Sequence, residues 1–235
     1  MSNDWESYYA NKASNLGPRD FLQQVGHTVA GEPIPDSHVG LLLDQIRSSL
    51  ALSSRDSLLD LCCGNGLFTV RLAQTAESVV GVDISASLIE IAKEAHSATN
   101  VEYLHMDARI LSELATMNYG PFDKIVMFAA IQHFSRQEFE AVLAQILSCA
   151  ADDCTILIGF VPSQELKWKF YNTIRRKAVY LLKTISGRDT FGTWWRRKDF
   201  EAICSQYGLQ CEIAPIADGL HASSYRINAV LRRSA

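Results

Sequence analysis

Asp60, Asp83 and Asp107 each stand at the C-terminal end of an apolar run that reads as a strand, and Gly64 and Gly66 follow the first of them closely. Carboxylates at the ends of successive parallel strands accept hydrogen bonds from ammonium and hydroxyl donors. That is the chemistry of holding a cationic or ribose-bearing ligand. The glycines lie between Leu58-Leu59-Asp60-Leu61, an apolar run that reads as a buried strand, and Leu67, Phe68, Val70 and Leu72, apolar residues at helical spacing. A strand, a tight glycine turn and a helix make up the half-motif from which nucleotide-binding α/β domains are built. Glycine supplies the positive φ such a turn requires and leaves no Cβ between backbone and ligand. The helix then offers free N–H groups and the positive end of its dipole.

Spacing separates two kinds of nucleotide site. A dinucleotide fold wants G-x-G-x-x-G, but Thr69 stands where the third glycine belongs, and Asp60 fits poorly beside a pyrophosphate. A nicotinamide-dependent oxidoreductase is the reading these two residues argue against. Asp60 fits well beside an α-ammonium group. Asp60-Leu61-Cys62-Cys63-Gly64-Asn65-Gly66 resembles motif I of the class I S-adenosylmethionine-dependent methyltransferases, whose pattern is acid-x-G-x-G-x-G, with Cys62 in place of the first glycine. The strand Ser78 to Val82 ends at Asp83, and Ile84-Ser85 opens a helical pattern with Ser85 as N-cap. Val101 to Leu104 leads into His105-Met106-Asp107-Ala108.

The resemblance implies a doubly wound α/β fold: a seven-stranded, mostly parallel sheet with an antiparallel terminal strand and a helical insertion before the last helix. It implies S-adenosylmethionine as cofactor. Asp60, Cys62, Gly64, Asn65 and Gly66 would surround the methionine portion, Asp83 and Ile84 the ribose, and Met106, Asp107 and Ala108 the adenine, with Phe128 completing the site. Phe122 to Phe128 and the following Ala129-Ala130-Ile131-Gln132-His133-Phe134 resemble motif IV of the small-molecule branch, without N-P-P-Y or the aspartates of metal-dependent relatives. His133 is the candidate base, since imidazole titrates near neutrality. The alternative is that it packs against or caps the helix starting near Ser135, because methyl transfer also runs on proximity and orientation alone. The expected reaction is SN2 transfer to a hydroxyl or amine of a small, anionic acceptor. An RNA methyltransferase and a non-catalytic cofactor- or partner-binding module are the alternatives, with no stable nucleic-acid complex expected.

These elements occupy a chain of 235 residues with 22 basic and 26 acidic side chains, enough for one α/β domain and its core. No run of 18 apolar residues suggests a membrane span, and MSNDWESYY does not read as a signal peptide. The six cysteines lack C-x-x-C spacing and read as reduced core thiols of a cytoplasmic protein, and no metal site is expected.

Residues 1–35 read as an irregular N-terminal cap segment in which Trp5, Tyr8 and Tyr9 either fold over the cofactor or form a tail. Residues 36–235 form the catalytic domain, opened by a helix from Asp36 to Leu50. Its last strands run from Leu209 to Pro215 and from Tyr225 to Leu231. Within the domain, 163–198 carries ten basic residues against Glu165 and Asp189, a net +8 in a chain of net charge −4. Trp168, Tyr171, Ile174, Val179, Leu182 and Ile185 interleave with those charges. The segment reads as a basic helical lid over an anionic acceptor, as a solvated face, or as a peripheral membrane contact. Trp168, Tyr171, Trp194, Arg197, His221 and Tyr225 are the candidate acceptor-binding residues, with Trp194-Trp195 a stacking surface for a sugar or base.

Overall fold

Alternation of side chains along the central strands decides which helices lie on which face of the sheet. In the computed structural model, which describes residues 5–186 and 191–234, the sheet strands are β1 (Ser57–Leu61), β2 (Ser78–Asp83), β3 (Val101–His105), β4 (Phe122–Phe128), β5 (Ala150–Pro162), β6 (Leu209–Pro215) and β7 (Arg226–Arg233). Leu59, Leu61, Ile125, Met127, Ile156 and Ile158 point to one face, while Leu58, Val126 and Leu157 point to the other. Both faces are therefore apolar, and both are covered.

The first face packs against α5 (Arg136–Cys149) through Phe139, Val142, Leu143 and Ile146, and against α7 (Arg197–Gln206) through Phe200 and Ile203. The second packs against α2 (Asp36–Leu50) through Val39, Leu42, Leu43, Ile46 and Leu50, and against α3 (Leu67–Leu72). The α2 spacing is one apolar stripe of a helix, and Ala51 closes it in the left-handed region at φ 49°. Ser135 and Glu138 form a capping box at the start of α5. Ser85 caps α4 (Ala86–Ala95), as its sequence position predicts.

The strand order is β3-β2-β1-β4-β5-β7-β6. Every neighbouring pair from β3 to β5 is parallel, and β7 runs antiparallel to both β5 and β6. The last strand thus inserts inside the sheet, leaving β6 at the edge, and it begins one residue after Tyr225. The order reverses between β1 and β4, and the crevice beyond the carboxyl ends of those strands is where ligands bind in such sheets.

The N-terminal segment is more ordered than its sequence suggests. Trp5–Ser14 forms a helix, α1, followed by a helical turn at Phe21–Gln24 and a short antiparallel pair at Thr28–Val29 and Glu32–Pro33. The insertion between β5 and α7 contains a helical turn at Lys167–Phe170 and the helix α6 (Ile174–Ile185). Arg188 and Asp189 of that insertion lie outside the described residues, as do the first four residues of the cap segment.

Candidate active site

The turn after β1 owes its shape to left-handed backbone at Cys62, Gly64 and Gly66, with φ of 58°, 58° and 77°. Cys62 holds this conformation without glycine's freedom, at a cost of roughly 1–2 kcal/mol. A Cβ on Gly64 would stand 2.6 Å from Val25 Cγ1, and one on Gly66 would stand 2.5 Å from the Tyr103 hydroxyl oxygen. The glycines therefore admit side chains from the N-terminal segment and β3. Asn65 is fully buried, and its amide donates to the Phe21 carbonyl and to Gln24 Oε1, both at 2.8 Å. That side chain ties down the N-terminal segment and has no donor left for a ligand.

Thr69, in the position of the missing third glycine, donates its hydroxyl proton to Asp60 Oδ2 at 2.6 Å. Burial nevertheless pushes the Asp60 carboxyl up to about 7, with Asp83 adding to the rise. Asp83 accepts from the Gly64 amide at 2.9 Å and from the Ser85 amide at 2.8 Å, so its carboxylate bridges the glycine turn and the start of α4. Burial raises this acid as well, against those two hydrogen bonds. Asp107 differs. Arg109 grips its carboxylate through Nε and Nη2, and its pKa is lowered by hydrogen bonds and charge from that arginine, although burial opposes them.

Two cavities meet at Tyr9, Cys62, Asp83 and His133. The smaller, about 80 Å³, is lined by Asp60, Gly64, Asn65, His27, Phe68 and Phe128, among others. The larger, about 330 Å³, is lined by Ile84, Met106, Asp107, Ala108, Arg109 and Trp5, among others. Of the expected cofactor residues, Gly66 alone lines neither.

His133 closes the short turn Ile131–His133 beyond β4. Its Nε2 lies 2.9 Å from the Tyr9 hydroxyl, the Trp5 ring centroid lies 4.0 Å from its own, and Trp5 Nε1 donates to its carbonyl at 3.1 Å. Trp5 and Tyr9 stand four residues apart on α1 and so share a face. Burial pushes the His133 imidazole down to about 4, helped by the positive charges of Arg226 and Lys12. Its Nδ1 is buried without a hydrogen-bond partner.

Neither cavity is lined by any of the six residues expected to touch the acceptor. Trp194 is buried, stacked 4.5 Å from Phe191 and surrounded by Phe170, Tyr171 and Tyr225. Trp195 is a core residue whose Nε1 donates to the Ile131 carbonyl, which excludes it as a stacking surface. Trp168 packs beside Tyr171 and Tyr180, Arg197 is exposed at the start of α7, and His221 stacks near His38 and Phe160.

Arg226, at the start of β7, is the residue sequence reasoning missed. Its guanidinium lies over Phe160 at 4.6 Å, with Tyr225 and Phe191 beyond 5 Å, and donates to the Phe160 carbonyl and to Gln132 Oε1. Burial pushes its pKa down, its Nε is sealed without a partner, and no carboxylate among the described residues pairs with it. Its charge also reaches His27, His133 and Tyr9. Only its place ahead of the apolar stretch Ala229-Val230-Leu231 of the last strand marks it in the sequence.

Residues 58–153 match the Methyltransferase domain family. The chain is 36% identical over 115 residues to the 23S rRNA (uracil(1939)-C(5))-methyltransferase RlmD of Pectobacterium atrosepticum, covering 48% of this chain and 23% of that protein. It is 26% identical over 160 residues to the ubiquinone biosynthesis O-methyltransferase of Haemophilus ducreyi, covering 66% of this chain and 65% of the relative. This chain thus spans less than two thirds of the length of these curated relatives. The fold is similar to a solved S-adenosylmethionine-dependent methyltransferase from Anabaena variabilis at a TM-score of 0.72 and 18% identity, covering 99% of this chain and 95% of that one. With its strand order, glycine turn and strand-end acids, the chain has the class I, Rossmann-like methyltransferase fold, and its residues 58–153 match a methyltransferase domain.

Proposed function

We propose that this protein transfers a methyl group from S-adenosylmethionine to a hydroxyl, or an amine, of a small acceptor that carries an anionic group. The observation that carries the reading is the convergence of Asp60, Asp83 and Asp107 on two joined cavities at the point where the strand order reverses. The donor set fits the cofactor. Asp60 is a buried acid whose only side-chain hydrogen bond among the described residues comes from Thr69, and an ammonium group would stabilise its ionised form. Asp83 keeps lone pairs for ribose hydroxyls beyond its two backbone bonds. Ile84, Met106 and Ala108 offer an apolar wall to the adenine. Asp107 reaches the ring's amino group only alongside its bond to Arg109.

S-adenosylmethionine, when bound, supplies an electrophilic methyl group on a sulfonium. The chain's own contribution is to aim the acceptor and take its proton. His133 with a pKa near 4 is neutral at physiological pH and ready to accept. It is too weak a base to ionise a hydroxyl beforehand. It therefore receives the proton as the new carbon–oxygen bond forms and the oxygen becomes acidic, while positioning supplies most of the rate. The Tyr9 hydroxyl fixes the ring through Nε2. Trp5 and Tyr9 close this end of the site against water.

An anionic group on the acceptor is supported by Arg226, which lines neither cavity but whose charge reaches Tyr9 and His133, where the two cavities meet. A half-buried guanidinium without a carboxylate partner is costly, and an acceptor carboxylate or phosphate offsets that cost. RNA is the second reading, favoured by the +8 of 163–198. It predicts binding that falls steeply with salt.

Calorimetric titration with S-adenosylmethionine and S-adenosylhomocysteine, with Asp83→Ala as control, tests the cofactor assignment. Binding weakened at least about tenfold by the substitution is expected, as loss of charge-assisted hydrogen bonds costs about 1.5–3 kcal/mol. A folded protein that binds neither ligand overturns the assignment.

A further inference from the structure

The apolar stripe of α6 points the wrong way for a packed helix. Ile174, Ala178, Leu181, Leu182 and Ile185 fall within about 100° of the helix circumference, the width of a stripe that would normally face a core. Here Ile174 is 88% exposed, Ile185 84%, Leu182 68% and Leu181 51%, and no residue of the helix is buried. The helix is attached from its other side. Tyr180 is half-buried, with its ring 4.5 Å from that of Tyr171 and 6.1 Å from that of Trp168, and the Lys167 ammonium lies 4.0 Å from its centre. Four large aliphatic side chains on one outward face form the kind of patch that marks an interaction surface.

Charge decides what covers it. The helix carries Arg175, Arg176, Lys177 and Lys183 and no acidic residue. By helical geometry Arg175 and Lys177 border the stripe, one on each side. Trp168, half-exposed beside Lys177, adds an amphipathic ring at the same boundary. A second copy of the chain meeting this face by two-fold symmetry would set these cations against one another. Nucleic acid would use the cations and leave the aliphatic stripe in water. An anionic bilayer satisfies both features. Its headgroup phosphates pair with the bordering cations while its acyl chains receive the stripe.

We propose that α6 is an interfacial helix that seats this protein on an anionic lipid surface. This inference stands on the insertion alone and does not require the methyl-transfer reading. The test is sedimentation of the full chain with phosphatidylcholine vesicles and with vesicles that also contain phosphatidylglycerol. Binding to the anionic vesicles at least about tenfold tighter than to the neutral ones, and weakening as salt is raised, is the expected result. Leu182→Gln with Ile185→Gln should weaken it about tenfold or more. Arg175→Gln with Lys177→Gln should abolish the preference for phosphatidylglycerol. All four side chains are exposed, so the variants keep the fold, which unchanged far-UV circular dichroism checks. Equal binding to both vesicles, binding to neither, or variants that bind as the parent does would overturn the proposal. So would self-association without lipid that the Leu182→Gln, Ile185→Gln variant removes, because the stripe would then belong to a second copy.

Discussion

Asp60 sits at the end of β1 with a carboxyl held near 7, chiefly by burial. That value couples cofactor binding to pH. An ammonium ligand favours the ionised form, so below about pH 7 binding must first expel a proton. Affinity is therefore expected to fall as pH drops from 7 to 6, approaching about tenfold per unit, and to level off above 7.5. Calorimetry at several pH values checks this, and Asp60→Asn should flatten the profile while weakening binding throughout. A wild-type profile that is flat between pH 6 and 8 would dissociate Asp60 from the ammonium group. Arg226 supports a prediction of the opposite selectivity. Arg226→Gln should raise KM for an anionic acceptor by roughly ten- to a hundredfold, the worth of a charge-assisted hydrogen bond in a desolvated site. Affinity for S-adenosylhomocysteine should hold. If cofactor affinity falls and acceptor KM does not, Arg226 braces the pocket through Gln132 and Phe160 and reads no substrate charge.

Among the elements, the glycine turn and α1 do the positioning. Gly66 keeps a left-handed φ of 77° directly under the Tyr103 hydroxyl, which itself donates to the His96 carbonyl at 2.9 Å. Gly66→Ala adds a disfavoured backbone conformation to a collision with a buried ring. A loss of about 2–3 kcal/mol in denaturant unfolding is expected. Tyr103→Phe in the same background should recover part of it, because the nearest clashing atom is then gone. Equal stability of Gly66→Ala and wild type would mean that the turn is not locked by Tyr103. The helix α1 shows how a segment with little amphipathic pattern is held by a few tertiary contacts. Trp5 and Tyr9 grip His133, and Asn65 anchors the turn that follows α1.

At the scale of the whole molecule, stability is distributed unevenly. The strands β1, β4 and β5 are covered on both faces, whereas α6 buries no side chain. Amide hydrogen exchange should reflect this. The central strands should exchange only by near-global unfolding, and α6 should exchange within about 1–2 kcal/mol of free local opening. Adding anionic vesicles should slow exchange in α6 while leaving β1 and β4 unchanged. Slow exchange in α6 without lipid would show that something else already covers its apolar stripe. The charge asymmetry belongs to the same scale. The +8 of 163–198 stands on a chain whose remainder is acidic, so long-range attraction to an anionic surface also orients the molecule.

What the sequence determined by itself was local and periodic. Buried strands flanked by glycine or aspartate, the Ser85 cap, the apolar stripe of α2 and the acids at successive strand ends all depend on spacing within about twenty residues. Those features sufficed for the fold class and for setting Asp60, Asp83 and the Met106 to Ala108 stretch at the strand ends that border the two cavities. The hydroxyl at Thr69 was visible as a missing glycine, but its bond to Asp60 needed the turn to be built. Tertiary structure alone decided the rest. Whether a charge on 163–198 faced an acceptor, solvent or a bilayer depended on how the insertion lay against the sheet, and periodicity gives a helix its stripe without its orientation. Trp194 and Trp195 were aromatic in the sequence and became packing in the fold, because neighbours from four segments closed around them. Arg226 became a candidate reader of charge only when β7 inserted beside β5 and set its guanidinium over Phe160 and against Gln132, with its charge reaching His27, Tyr9 and His133. Those residues meet through long-range contacts, which no local pattern encodes.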